Sequence, residues 1–275
     1  MLWELNIKNQ LEQEQYIQMI TTQMINQTTC QTDDLTGVTL TCKNDNLDLK
    51  TVLKSFTNLN LKLETQLQIT PCFSCSVMMS YHNLLSFLKT INQNQVGQFL
   101  LVSGDKPAQD TSEKIHKNIE FNQPFDTIAV LGYLDNRNKG NINWNTNFDN
   151  LNIAVAHNPF EKTNMDKELE IKRLKQKLSY DCVKTVYLQL GNDITAIQNS
   201  LNQIRTIKPN LKIIGSILVP TPKMLQIIKN NPHYGYGYSS KYLNDIAFAQ
   251  LQTSKLAQVY QKLEIEVLWS GLTKI

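Results

Sequence analysis

Two carboxylates stand where apolar, strand-like runs meet chemistry: Glu4 inside LWELNI and Asp105 inside LLVSGDKPA. An ionised carboxylate aimed into an apolar interior is costly unless it is paired or protonated. Glu4 therefore reads as an acid of raised pKa held for proton donation. A register shifted by one residue would instead leave it at a strand edge in water. Asp105 follows Gly104, so a tight turn presents its carboxylate where a strand has just left the core.

Other motifs carry less chemistry. Cys72-Phe73-Ser74-Cys75 has C-x-x-C form, but Cys72 lies within a strand pattern, so alternation sends the two sulfurs to opposite faces. No second C-x-x-C or spaced histidine pair completes a zinc set, so no metal is expected. His82, His116, His157 and His233 have neither ligand nor triad spacing and read as surface or packing residues. A serine hydrolase has no G-x-S-x-G elbow here. Lys172, Arg173, Lys175 and Lys177 fall in ELEIKRLKQKL, which reads as a solvated helix face with partners such as Glu168.

Composition narrows the class. The 275 residues carry a net charge of +3, too weak and scattered for a nucleic-acid partner. No apolar run approaches the roughly 18 residues of a membrane span. The opening MLWELNIKNQLEQEQ has no basic or apolar leader pattern. Five cysteines, odd in number and mostly in apolar segments, suit a reducing cytoplasm. A homo-oligomer is left open.

Stretches of period two alternate with stretches of helical period. The strand-like runs are 2–7, 37–42, 67–75, 98–104, 152–158, 183–191, 212–220 and 264–271. Helical patterns such as LKTVLKSFTNL and ITAIQNSLNQIRTI separate them. Eight strands joined by helices imply parallel pairing and a single (β/α)8 barrel over residues 1–275. A doubly wound open sheet is the alternative, but no G-x-G-x-x-G follows the first strand. Parity sends Trp3, Leu5, Val38, Leu40, Val186 and Leu188 outward. It leaves Glu4, Thr41, Cys72, Ala154, Ala156, Thr185, Tyr187 and Gln189 inward. That set is small and polar towards one end, predicting a roomy, polar mouth where the strands end.

The order of these segments resembles the methylenetetrahydrofolate reductase family, flavin-dependent barrels of one-carbon metabolism. VTLTCKN is similar to its V-T-[YF]-G-A, and TPCFSC to A-P-H-L-T-C, with Cys72 at the histidine. LVSGDKP resembles L-R-G-D-x-P, and IAVAHNP resembles I-x-V-A-x-Y-P. LQLGND is similar to T-Q-F-F-F-D, and IIGSILVPTPKMLQ to I-I-P-G-I-L-P-x5-Q. The resemblance implies NADH or NADPH as reductant and FAD lined by Thr41, Cys42, Asn44, Cys72, Ser103, Gly104, Asp105, Ala156, Asn158 and Lys177. It implies a folate substrate bound by Glu4, Asp105, Gln189 and Gln226, with Glu4 and Asp105 catalytic. Ser103 replaces an arginine, Asn158 a tyrosine and Gln176 one of a basic pair; NPFEKTN lacks a histidine. The sequence ends at LTKI, so the last helix is expected to be shortened or absent. A folate barrel that transfers or removes methyl groups without flavin, and a non-catalytic barrel, are the alternatives.

Overall fold

The runs with period-two alternation form strands, each ending within three residues of where the sequence pattern stops. The computed structural model describes residues 2–6, 15–20, 36–41, 49–63, 67–75, 81–103, 126–138, 152–230 and 237–271. Its strands are β1 (Leu2–Asn6), β2 (Gly37–Thr41), β3 (Gln68–Ser74), β4 (Gln98–Val102), β5 (Asn152–His157), β6 (Val183–Leu188), β7 (Lys212–Leu218) and β8 (Glu266–Ser270). They lie in chain order in a closed barrel, with helices between them: the (β/α)8 fold.

Among the described residues the named helices are α1 (Leu49–Leu63), α2 (Tyr81–Gln93), α3 (Thr127–Asn138), α4 (Asn164–Leu178), α5 (Ile194–Ile207), α6 (Pro222–Asn230), α7 (Ser240–Asn244) and α8 (Ile246–Lys262). Their starts follow side-chain capping rules. Asp193 caps α5 through Ala196 N–H, Ser239 caps α7 through Tyr242 N–H, and Asp245 caps α8 through Phe248 N–H. None of these helices is long and apolar enough to cross a membrane.

The chain gathers into two compact units. One holds Leu5–Val155 and Ser179–Val183. Its β3 and β4 face their helices with Phe73 and Phe99, which meet Phe87 of α2 edge-on at centroid distances of 5.1 and 5.3 Å. Leu100 pairs in register with Ala154 and Phe99 with Ile153, so Ala154 takes the face opposite the phenylalanines. That face is inward, as the alternation predicts. Gln98 and Thr70 share it and bond to each other at 3.4 Å.

The second unit holds Met1–Glu4, Ala156–Leu178 and Lys184–Ile275. Register pairs Leu2 with Leu268, Leu268 with Ser216, and Tyr187 with Ile214. Leu2, Tyr187, Ile214 and Leu268 are all buried, so these strands fill their inner face with bulky side chains below the polar end. Alternation had suggested a smaller set; Tyr187, expected inward, supplies much of the bulk. On the other face Tyr260 of α8 lies over Gly215, where a Cβ would come within 2.4–2.6 Å of its ring.

Gly215→Ala should therefore destabilise the fold by about 1–3 kcal/mol through overpacking. A lowered urea midpoint with an unchanged slope checks this; an unchanged midpoint would show that the ring moves aside freely.

Candidate functional site

Glu4 lies in β1 next to β8. Trp3 is in register with Trp269, which places Glu4 beside Ser270, and the Ser270 hydroxyl donates to the Glu4 carboxylate. Leu218 of β7 is the register partner of Ser270 on the same face. The carboxylate is half-buried and carries a donor, above the apolar layer of Leu2 and Leu268. Its position two residues beyond Leu2 gives it the inward parity read from the sequence.

A second polar cluster holds the end of β5. His157 is 2 % exposed and faces the helices; its ring bonds Glu170 of α4 through Nδ1 (3.0 Å) and Ser200 of α5 through Nε2 (3.1 Å). A carboxylate cannot donate, so Nδ1 carries the proton toward Glu170. Glu170 also accepts from the backbone N–H of Asn158 (3.1 Å). The Lys177 ammonium is 4.0 Å from Glu170 and donates to the Ala156 carbonyl at 2.8 Å. Burial alone would push the Glu170 carboxyl up; the bonds from His157 and Asn158 and the Lys177 charge outweigh it, leaving it below the usual range. Burial pushes Lys177 down, partly offset by Glu170.

The order Ser200–His157–Glu170 is that of a hydrolase relay, yet it serves no nucleophile here. Ser200 sits inside α5 at 6 % exposure, where no substrate carbonyl could approach it. The cluster is a clamp on strand β5. Beyond it, Asn158 turns the chain: its Oδ1 accepts from Phe160 N–H at 3.0 Å and its amide donates to Glu161 at 2.9 Å.

In the other unit, Ser103 Oγ and Thr127 Oγ1 are 2.8 Å apart, joining the end of β4 to the start of α3. Cys72 is half-buried in β3, and Cys75 is buried beyond that strand; neither is disulfide-bonded. Burial is the main reason the Cys75 thiol is pushed up to about 12. A thiol so protonated is a poor nucleophile and a poor metal ligand. Among the described residues, no three of His, Cys, Asp and Glu come together to hold a metal ion.

The sequence-derived candidates thus separate. Ala156, Asn158 and Lys177 are brought together through Glu170, and Glu4 meets Ser270. Gln189 is exposed just past β6, its N–H donating to His157 O at 2.8 Å. Gln226 is exposed on α6 and donates to Asn230 of its own helix at 3.0 Å. Thr41 ends β2. Cys42, Asn44, Gly104 and Asp105 lie outside the described residues. Lys172, Arg173 and Lys175 are exposed as a solvated face requires, whereas Lys177 is buried. His157, Glu170 and Ser270 did not stand out as a set, because their partners are far apart in sequence. The one legible signal was the outward parity of His157, which calls for a polar partner on a helix.

Protein-family models and curated proteins give no match to the chain. Among solved structures it is similar to a Clostridium thermocellum protein that binds two copies of 5-methyl-5,6,7,8-tetrahydrofolic acid. They share 12% identity over 99% of this chain and 89% of that one, at a TM-score of 0.52. It is also similar to the aldose reductase of Schistosoma japonicum, at 10% identity over 98% of this chain and 79% of that one, with a TM-score of 0.48. At such identities the likeness is one of barrel fold.

Glu170→Gln should cost on the order of 3 kcal/mol at neutral pH, because Lys177 loses its buried counter-charge. The depressed folded-state pKa of Glu170 adds stability above its unfolded value of about 4.3, lost as pH falls through the folded value. Urea unfolding from pH 7 to pH 3 should show that acid-side loss in the parent and a flatter acid limb in Glu170→Gln; parallel curves would contradict it. Cys75 should resist iodoacetamide at pH 8 in the native protein and react in urea, read by peptide mass; rapid native labelling would contradict its burial.

Proposed function

We propose that this barrel binds a reduced folate at the C-terminal end of its strands and acts on the folate's one-carbon unit, with Glu4 as proton donor. The observation that carries the reading is an inward carboxylate on the first strand, held by a donor from the last strand. Opening a methylene bridge between two folate nitrogens needs a proton at the departing nitrogen, and a positioned carboxylic acid supplies one. The order of strand-end motifs supports the same reading. A barrel of this fold holds a reduced folate in the Clostridium thermocellum protein, which makes that ligand the first to test.

The finer form is a methylenetetrahydrofolate reductase-like enzyme reducing the methylene group to methyl, with the folate held by Glu4, Asp105, Gln189 and Gln226. Such a reaction draws its hydride from FAD, itself reduced by NADH or NADPH. The residues described at the end of β5 do not fit a flavin diphosphate grip: Lys177 is turned inward to Ala156 and Glu170, and the Asn158 side chain is taken up by its own turn. Lys172 and Lys175 are exposed on α4 and could meet an anion in this reading, as could the exposed Lys162 by exchanging its present contact. The buried Lys177 favours a second reading, a folate barrel that works without flavin.

Titrating the purified chain with 5-methyltetrahydrofolate and, separately, with FAD distinguishes these. Saturable folate binding is expected, with FAD binding no tighter than micromolar. Purification as a fully loaded yellow protein would contradict the weak flavin grip, and absence of folate binding would overturn the proposal. Glu4→Gln should keep folate affinity within a few-fold while slowing turnover of methylenetetrahydrofolate by about 10²–10⁴. Unchanged turnover would remove Glu4 from the chemistry.

A further inference from the structure

The Ser270–Glu4 pair has an apolar neighbour that the acid chemistry does not use. Leu218 is the register partner of Ser270, which puts it on the face that carries Glu4. Gly271 follows Ser270 with φ +82°, and a Cβ built on it would stand 3.2 Å from Leu218 Cδ1, 3.2 Å from Met224 Cγ and 3.3 Å from Met224 Cε. Met224 of α6 therefore meets Leu218 at the strand end that holds the Glu4 carboxylate. It packs there as a partly buried member of the Leu218 cluster. All of these residues belong to the second unit.

Ser270 and Leu218 are 3 % and 2 % exposed, so they form a floor. Glu4 and Met224 are only half-buried, and both keep surface that a ligand can touch. The start of α6 holds Met224 in place. Thr221 Oγ1 accepts from its N–H at 3.2 Å, and Thr221 O accepts from Leu225 N–H at 2.9 Å. The backbone is fixed, while the unbranched side chain can still adapt to what packs on it.

A reduced folate asks two things of such a place. The nitrogen that takes the proton must meet a carboxyl at its edge, and the flat rings need apolar contact. A thioether suits the second task, because its polarisable sulfur packs well on rings. We propose that Met224 is a specificity-determining contact, packing on the ring system of the folate beside Glu4 and so holding the departing nitrogen toward the acid. This rests on the folate reading above and adds an apolar half to a site whose acidic half is Glu4.

A peroxide pulse on the parent chain, with and without 5-methyltetrahydrofolate, tests this through the sulfoxides formed at Met224 and Met165, read by peptide mass. Met165 is 77 % exposed on α4 and serves as the reference, so oxidant consumed by the folate cancels in the ratio. At a folate concentration about ten times Kd, the Met224-to-Met165 ratio should fall roughly tenfold, as mass action requires when only the free site reacts. An unchanged ratio in protein shown by titration to bind folate overturns the assignment alone. Parent protein that binds no folate ends the folate reading and this assignment with it. Met224→Ala should weaken 5-methyltetrahydrofolate binding roughly tenfold, while Met224→Leu, which keeps the volume, should stay within a few-fold. Equal affinity in Met224→Ala also overturns the assignment. The oxidation ratio is read on the parent chain, so it stands apart from any packing that Met224→Ala loses. A Met224 that resists peroxide even without folate overturns the assignment too, because its side chain would then be closed to a ligand.

Discussion

The carboxylate of Glu170 is the contact on which the end of β5 depends. One side-chain oxygen meets the imidazole of His157 and the backbone N–H of Asn158, with the Lys177 ammonium close by. Lys177 then reaches past it to the Ala156 carbonyl. Three consecutive residues of the strand end are thereby held by two side chains of the following helix. An outward histidine on a strand is unfavourable in an apolar seam unless both ring nitrogens are bonded, and here both are. The polar residues of this seam are mutually dependent. Their arrangement fixes the backbone from which Asn158 and Phe160 begin the next turn.

The same cluster redefines what a basic residue near a strand end means. Lys177 looks, by its place in the sequence, like a cation awaiting an anionic ligand. Its surroundings make it an internal strut. A lysine's long apolar stem lets it bury while its ammonium reaches a carbonyl and a carboxylate, and such a group is then unavailable to solvent. Its exposed neighbours on the same helix keep the character that Lys177 has lost.

The fold was legible because barrel strands and helices announce themselves locally. ITAIQNSLNQIRTI became α5 over the same residues, capped by the aspartate before it. Parity placed Glu4 and Ala154 with the inner row, which the register bears out. The candidate site was less legible, for a reason of distance along the chain. Glu4 and Ser270 come together only because the last strand returns to the first. His157, Glu170 and Ser200 are spread over three elements, and no single-sequence period links them. The inner face was harder still. Alternation names the residues that point inward, but it does not say how much space Tyr187 and Leu268 leave beside them.

The seat of Gly237 against Gly191 bears on the order in which the second unit assembles. The parallel bridge between them closes a loop that contains α5, β7 and α6. Closing so long a loop carries an entropic cost that only the final contacts offset. This corner is therefore late to form, and the same arithmetic makes it early to open. Release of the Asn192 amide from Gly237 would undo this bridge while leaving the β7–β8 pairing intact.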